Sequence, residues 1–170
     1  MELSYYLRAS FDFQNDEQLT TVHKELELVK SYLILEKARF DERLHVEYTV
    51  EGNLNARIPP LSIQPIVENA VRHGLMQKSQ GGTIQINITI TELEVSVVVA
   101  DDGMGMRPER MQQVLSEDDR SGGVGLRNVH RRLLTLYGKG LDIESEWRRG
   151  TIVSFAVPRA MPEMLQTKLA

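Results

Sequence analysis

The sequence predicts an α+β fold: a two-layer α/β sandwich with a mixed sheet, helices on one face of that sheet, and an N-terminal helix before it. Three observations predict this fold. A helical pattern without Gly or Pro extends to about residue 40, β-branched segments of alternating polarity follow it, and two helical segments interrupt them. The resulting order β-α-β-β-α-β-β gives a mixed, largely antiparallel sheet. The 170 residues suffice for one domain with a full core.

The composition is that of an ordinary soluble globular protein, with 41% apolar and 26% charged residues. The formal charge of −4 gives no reason to expect nucleic acid or an anionic membrane as a partner. The absence of cysteine excludes disulfides, thiolate chemistry and cysteine zinc sites. No apolar run approaches the roughly 18–20 residues of a membrane span, and no signal-peptide pattern opens the chain. The absence of cysteine also fits a reducing compartment such as the cytoplasm, without proving one.

The first predicted element is a helix over residues 21–40, "TVHKELELVKSYLILEKARF". Thr21 is a suitable N-cap and Glu25 lies in the first turn, where a negative charge favours the helix. Apolar residues recur at spacings of three and four, which gives a narrow stripe. This stripe predicts packing on the helix's own domain, and a partner helix in a dimer is the alternative. The stripe consists of Leu19, Val22, Leu26, Val29 and Leu33.

The strands are predicted from short runs that alternate apolar with polar residues and are rich in β-branched side chains. The second and third strands are joined by a tight turn, and the last two are joined through Arg149 and Gly150. The predicted strands are residues 45–50, 83–90, 93–101, 141–148 and 151–158.

Two helices are predicted between the strands, at about 62–74 after two prolines and at about 124–137 after two glycines. The stretch 107–122, "RPERMQQVLSEDDRSG", is predicted to be irregular and disordered. Such a long connection in a compact domain is usually functional or mobile.

The helix that contains "PIVENAVRHGL" (65–75) carries polar residues beside its apolar face. Glu68 with Arg72, and Asn69 with His73, stand four residues apart. One interpretation is a solvated face with an i,i+4 ion pair. The other is the edge of a cleft, where an amide and a carboxylate oxygen suit Mg²⁺ and a guanidinium suits phosphate.

Two further motifs contain glycines beside groups that could bind a ligand. In "VVVADDGMGMRP" (97–108), a strand ends in Asp101, which can accept a hydrogen bond from an exocyclic amine, although a plain Asp-Gly turn is the alternative. The spacing does not fit a calcium loop. In "SGGVGLRNVHRRL" (121–133), glycines open a helix whose N–H groups can bind an anion, although glycine also serves as an ordinary cap. This second motif fits neither a Walker A loop nor a dinucleotide fingerprint.

In order and spacing, "ENAVRHG", "DDGMGM", "GGVGLRN" and a final "GT" resemble the Bergerat-type ATP-binding domain. Histidine kinases, type II topoisomerases, heat-shock chaperones of the ninety-kilodalton class and mismatch-repair ATPases share that fold. The similarity covers roughly residues 44–158. "SIQPIVENAVRHGL" and "GVGLRNVHRRLLTLYG" resemble the sensor histidine kinases of the LytS/YesM type, and the N-terminal helix resembles the segment after their phosphoacceptor.

The resemblance implies a role for each matching residue. Glu68 would position or deprotonate the attacking group, Asn69 would be the Mg²⁺ ligand, and Asp101 would bind the adenine amine. It also implies the domain limits 1–43 (helical segment), 44–160 (ATP-binding catalytic domain) and 161–170 (tail). The expected cofactors are ATP and Mg²⁺, and residues 107–122 would form a mobile ATP lid. The other residues assigned to nucleotide binding are Arg72, His73, Gly103, Gly105, Met106, Gly123, Val124, Gly125, Leu126 and Thr151.

The sequence departs from the family pattern in two places. Asp102 stands where the family usually has Asn, which places a second acid beside the nucleotide. No His-Phe-Leu-Phe-Asn type motif occurs, and none of the four histidines suits the phosphoacceptor role. We therefore expect the catalytic portion of a membrane-anchored sensor, which acts on a histidine segment outside this sequence and cannot autophosphorylate alone. The expected partners are that segment, a response regulator and a second copy in the full-length protein.

Two other functions are compatible with the same motifs. One is a Bergerat-fold serine protein kinase or ATPase, and the N-terminal helix argues against it. The other is a regulatory scaffold that binds nucleotide only to set its shape, or does not bind it.

Overall fold

The computed structural model describes residues 19–40, 43–115 and 124–160. The long strands and helices follow the predicted order, and two short strands and one short helix were not predicted. The strands are β1 (Thr20–Thr21), β2 (Leu44–Glu51), β3 (Arg57–Ile58), β4 (Gly82–Ile90), β5 (Glu94–Asp101), β6 (Asp142–Glu146) and β7 (Gly150–Pro158). The helices are α1 (Val22–Phe40), α2 (Gln64–Asn69, continued as a π-helix over Ala70–Leu75), α3 (Pro108–Gln113) and α4 (Val124–Tyr137).

The main sheet has the strand order β2-β4-β5-β7-β6. β2 lies parallel to β4, whereas the β4–β5, β5–β7 and β7–β6 pairs are antiparallel. The prediction of a mixed, largely antiparallel sheet is confirmed. β1 and β3 form a short antiparallel pair beside it.

One face of this sheet forms the core, because alternate residues of β4, β5 and β7 point the same way. Apolar residues of α2 and α4 pack in the same cluster, while Gln85 and Ile152 on the other face are exposed. The two-layer sandwich with helices on one face is therefore confirmed. The buried strand residues are Ile84, Ile86, Ile88, Val95, Val97, Val99, Val153, Phe155 and Val157.

Helix α1 begins as predicted, since the Thr21 Oγ1 accepts the Lys24 N–H at 3.2 Å. All five residues of its apolar stripe are buried, and four of them belong to the same core cluster as the sheet. The prediction that α1 packs on its own domain is confirmed. The boundary at residues 43 and 44 stays a prediction.

The region after β5 differs from the prediction, because α3 occupies Pro108–Gln113 within the stretch predicted to be irregular. The local signals favour this helix: Pro108 stands at its start and Glu109 in its first turn. The prediction of irregular structure was therefore wrong for these residues. The rest of the predicted lid, residues 116–122, and Gly123 lie outside the described residues.

Candidate functional site

Two cavities lie along the polar side of α2 and share the side chains of Asn69 and His73. The first, of about 260 Å³, is also lined by Gly74, Gln77, Gly105, Met106, Arg107, Arg110, Val114, Trp147 and Thr151. The second, of about 220 Å³, is also lined by Pro65, Glu68, Arg72, Val124, Gly125 and Leu126. The polar residues of α2 therefore line a cleft.

Asp101, at the end of β5, packs against Gly74 in the lining of the first cavity. Its side chain is buried, and its Oδ1 accepts the Gly103 N–H at 2.9 Å. A Cβ on Gly74 would lie 2.4 Å from that Oδ1. Only glycine lets α2 approach the carboxylate so closely, so Gly74 belongs to the candidate site, although it was not among the predicted site residues. Its signal was a glycine inside a helical pattern.

The glycines after Asp101 bring backbone segments into direct contact. A Cβ on Gly103 would lie 2.3 Å from the carbonyl carbon of Gly74, and the Met104 N–H donates to the Gly74 carbonyl at 3.1 Å. Gly105 has φ +60°, and its Cβ would lie 2.0 Å from the Glu146 carbonyl oxygen. The loop thus needs glycine at both positions for close approach, and at Gly105 also for its backbone conformation.

Thr151 lies beside Asp101 on the neighbouring strand, in direct register with it. Its side chain is buried, and its hydroxyl is 2.8 Å from the Ser145 Oγ. Met106 lines the same cavity, and its N–H donates to the Ser145 Oγ at 2.8 Å. The predicted residues Asp101, Gly103, Gly105, Met106 and Thr151 are thus brought together.

Burial raises the pKa of Asp101 to about 6. The hydrogen bond from the Gly103 N–H lowers this pKa, and the negative charge of Asp102 raises it further. A backbone hydrogen bond from Thr151 and the positive charge of Lys78 also lower it. Burial lowers the pKa of His73, and the charges of Arg110 and Arg72 lower it further. At neutral pH the cleft therefore holds an ionised Asp101 and a neutral His73.

Asp102 lines neither of the two cavities. Its Oδ1 accepts the Thr83 N–H at 2.9 Å, and Lys78 Nζ lies 3.7 Å from the same oxygen. Lys78 also donates to the Asp102 carbonyl at 2.7 Å. This acid therefore fastens the end of β5 to β4, and its charge is offset locally.

The second cavity joins α2 to the first turn of α4. Glu68 Oε1 accepts a hydrogen bond from the Gln64 side chain at 2.7 Å. Arg72 lies near the hydroxyl of Tyr32 on α1. The pKa of Tyr32 is raised chiefly by burial and next by Glu36, and Arg72 opposes this effect. A Cβ on Gly125 would lie 3.2 Å from Pro65 Cβ, so glycine permits the close approach of α4 to α2.

Glu25 supports α2 from behind, a role that its position in the first turn of α1 did not indicate. Its fully buried carboxylate accepts the N–H groups of Leu61, Ser62 and Ile63 at 2.6, 3.1 and 2.9 Å. These donors immediately precede α2. Burial raises the pKa of Glu25, while the same N–H groups oppose that effect. Arg132 of α4 donates to the Pro60 carbonyl in the same loop.

Sequence reasoning also missed Trp147, Arg107, Arg110 and Gln77, which line the first cavity. The Arg107 guanidinium lies 4.5 Å from the centroid of the Trp147 ring. Arg107 and Arg110 lie within the predicted lid but were not assigned to the site individually. Nothing local predicted Trp147, because the turn between β6 and β7 reaches the cavity only through sheet pairing.

A larger depression of about 660 Å³ lies on the exposed face of the sheet. It shares Asp101 and Thr151 with the site, but Glu47, Asp102, Glu144 and Glu146 also line it. Four further acids around one open depression disfavour an anionic ligand. The cleft along α2 is therefore the better candidate for a phosphate-bearing ligand.

Residues 61–161 match the family model described as histidine kinase-, DNA gyrase B- and HSP90-like ATPase, which covers more than half of the chain. The chain belongs to this ATPase family. Membership implies ATP binding. Residues 1–44 match a second model, described as histidine kinase.

The relatives of this ATPase domain include sensor kinases. YpdA, a sensor histidine kinase of Escherichia coli strain K12, is 37% identical over 156 residues, which are 92% of this chain and 27% of YpdA. LytS, a sensor histidine kinase/phosphatase of Staphylococcus aureus strain MRSA252, is 36% identical over 152 residues, 86% of this chain and 26% of LytS. The predicted resemblance to LytS-type kinases is confirmed. The chain spans about a quarter of the length of these two curated relatives.

The fold is similar to that of the catalytic domain of histidine kinase ThkA, with a TM-score of 0.62 at 18% identity. That match covers 85% of this chain and 97% of the ThkA domain. It establishes the fold and no residue roles. Within the described part of the chain, every helix is too short or too polar to cross a membrane.

Proposed function

We propose that this ATPase domain is the catalytic portion of a sensor histidine kinase and transfers the γ-phosphoryl group of ATP to a histidine on another segment. One observation carries the proposal: two adjoining cavities share Asn69 and His73 and differ in their surroundings. Gly74 in the lining of the first packs against the buried Asp101 carboxylate, whereas Glu68 and Arg72 line the second. Adenine and triphosphate need these opposite chemistries in one continuous cleft.

The first cavity would bind the base. Ionised Asp101 would accept a hydrogen bond from the exocyclic amine of adenine, and Gly74, Gly103 and Gly105 leave room for a planar ring. Thr151, hydrogen-bonded to Ser145, would complete the polar contacts. A buried acceptor of this kind discriminates against bases that lack the amine, because it would be left unpaired.

The second cavity would bind the phosphates. Arg72 supplies positive charge, and the glycine-opened start of α4, with Val124 and Leu126, brings backbone N–H groups to the same cavity. His73, held neutral by its surroundings, can donate or accept one hydrogen bond there.

Mg²⁺ fits this site through the amide oxygen of Asn69. The described residues contain no group of three or more acidic or histidine side chains that could hold a metal ion. Mg²⁺ accepts few protein ligands and keeps several waters beside substrate phosphates, so Asn69 suffices. Bound there, it would neutralise phosphate charge.

The reaction needs positioning and charge neutralisation more than covalent help from the protein. The bond from the γ-phosphorus to the bridging oxygen breaks, a phosphorus–nitrogen bond forms on the acceptor imidazole, and ADP leaves. Glu68, fixed by Gln64, would orient that imidazole or accept its proton. In the parent protein we propose a dimer, a membrane anchor and a response regulator as the next acceptor.

Calorimetric titration with a non-hydrolysable ATP analogue, with and without Mg²⁺, tests the cleft. We expect a Kd between about 1 μM and 1 mM. Asp101→Asn should abolish binding of both the analogue and adenosine, whereas Asn69→Ala should remove only the Mg²⁺ dependence. Absence of nucleotide binding by the wild-type chain under every metal condition would contradict the proposal.

Phosphotransfer is tested by supplying the histidine-bearing segment of a parent kinase together with γ-labelled ATP. We expect acid-labile, base-stable label on that segment and its loss in Glu68→Ala. Label on serine, or hydrolysis alone, would favour the serine kinase or ATPase instead.

A further inference from the structure

Trp147 is the single tryptophan of the chain and lies in the turn between β6 and β7. Its side chain is half-buried and lines the first cavity beside Arg107. The Arg107 guanidinium covers its ring at 4.5 Å. A large aromatic side chain is thus partly exposed at a cavity that the proposed function assigns to a planar base.

The backbone fixes this turn against the glycine loop. The Arg148 N–H donates to the Met104 carbonyl at 2.6 Å, and the Arg149 N–H donates to the Glu146 carbonyl at 3.0 Å. Gly150, at φ +120°, lets the turn approach the end of β5, because a Cβ there would lie 1.9 Å from the Asp101 carbonyl oxygen. The position of Trp147 is therefore tied to that of Asp101.

Trp147 belongs to the base end of the cleft. It shares the first cavity with Gly74, which packs against the Asp101 carboxylate, and with Thr151, which is paired with Asp101 across the sheet. The second cavity, with Glu68 and Arg72, does not include it. The base of a bound nucleotide, which would contact Asp101, would therefore lie closer to Trp147 than its phosphates would.

We propose that Trp147 is an affinity-determining contact for the purine base and that Arg107 holds its indole ring in place, an inference that rests on the proposed function. The indole offers a flat apolar surface to a flat base, and such aromatic contacts contribute beyond the area they bury. Arg107 precedes α3, so its cation–π contact also links the start of α3 to the base pocket.

Calorimetric titration of the full chain with adenosine and with the ATP analogue tests the contact. Trp147→Ala should weaken binding of both ligands by the same factor, about tenfold. Trp147→Phe keeps an aromatic ring and should restore most of the affinity. Arg149→Ala, an exposed residue of the same turn paired with Glu146, is the matched control and should bind like the wild type.

Three results would overturn the inference. One is unchanged adenosine affinity in Trp147→Ala with an intact melting temperature, and another is a Trp147→Phe variant no better than Trp147→Ala. A loss of affinity for the ATP analogue but not for adenosine is the third. If the wild-type chain binds the analogue in such a case, the proposed function stands and only this inference fails.

Fluorescence provides an independent measurement because Trp147 is the sole indole. Adenosine should change its emission saturably, with the Kd found by calorimetry, and Asp101→Asn should remove the change. A calorimetrically saturating adenosine concentration that leaves the emission unaltered would contradict the contact.

Discussion

The Asp101 side chain is buried, lies near the acid Asp102, and is approached closely by α2 at Gly74. Its pKa of about 6 means that the free chain takes up a proton there just below neutrality. Because this folded-state pKa lies above the ordinary value of 3.8, the contribution of Asp101 to the free energy of unfolding is full below 3.8 and is lost as the pH rises through about 6. The ionised carboxylate that would bind adenine therefore costs stability at neutral pH.

Adenosine binding should consequently depend on pH. An amine donor favours the ionised acceptor, so affinity should fall roughly tenfold between pH 7.5 and pH 5, where about a tenth of Asp101 is ionised. Calorimetry at several pH values measures this. Adenosine carries no phosphate, so protonation of His73 should matter little, and His73→Gln should keep the same profile. A flat profile in the wild type would contradict the assigned role of Asp101.

At the scale of elements, α1 and α2 are joined at two points. Glu25 binds the three N–H groups before α2, and Tyr32 meets Arg72 farther along that helix. Glu25 and Tyr32 are both buried, so α1 forms a fixed support for the helix that carries Glu68 and Asn69. Residues 1–44, which include α1, match the histidine kinase model. In a kinase, a movement of α1 would therefore be transmitted directly to the helix that carries Glu68 and Asn69.

Glu25→Ala should therefore destabilise the chain strongly. Three N–H groups would lose their acceptor, and each unsatisfied buried donor costs about 1–3 kcal/mol, so the free energy of unfolding should fall by about 3 kcal/mol or more. Urea denaturation measures it. Glu27→Ala, which removes only an exposed pair with Lys30 on the same helix, should change stability by less than about 0.5 kcal/mol. Equal changes in the free energy of unfolding for the two substitutions would show that the hydrogen bonds of Glu25 to the loop before α2 do not stabilise the chain.

At the scale of the whole molecule, one hydrophobic cluster joins α1, α2, α4 and the inner face of the sheet. Val22, Leu26, Val29 and Leu33 of α1 are all buried in it. The helix thus completes the core beneath the helices that line the cleft. Removal of α1 would expose the apolar surface of α2.

A chain that begins at residue 44 should not fold cooperatively. Burial of a large aliphatic side chain contributes about 1.5–3 kcal/mol, so four of them amount to roughly half or more of the 5–15 kcal/mol that stabilises a typical domain. Thermal unfolding by circular dichroism measures this, and a chain that begins at residue 19 is the control. Cooperative unfolding of the shorter chain would support the predicted domain start at residue 44.

The sequence by itself determined the elements and much of the candidate site, because both follow from local patterns. The periods of about 3.6 and 2 predict α1, α2, α4 and the five strands of the main sheet, but not the short strands β1 and β3. The cavities bring together residues of all three glycine-containing motifs. α3 was missed although its proline and glutamate signals were local, because its polarity resembles that of a loop.

Only the tertiary structure decided which distant residues meet. Gly74 is required by a carboxylate on β5, Glu25 binds N–H groups before α2 more than thirty residues away, and Trp147 lines the first cavity from a strand turn. Each contact depends on the register of the sheet and on how closely helices approach it. The physical reason is that the periodic pattern of apolar residues is a property of one segment, whereas the residues that a side chain contacts depend on how separate segments pack.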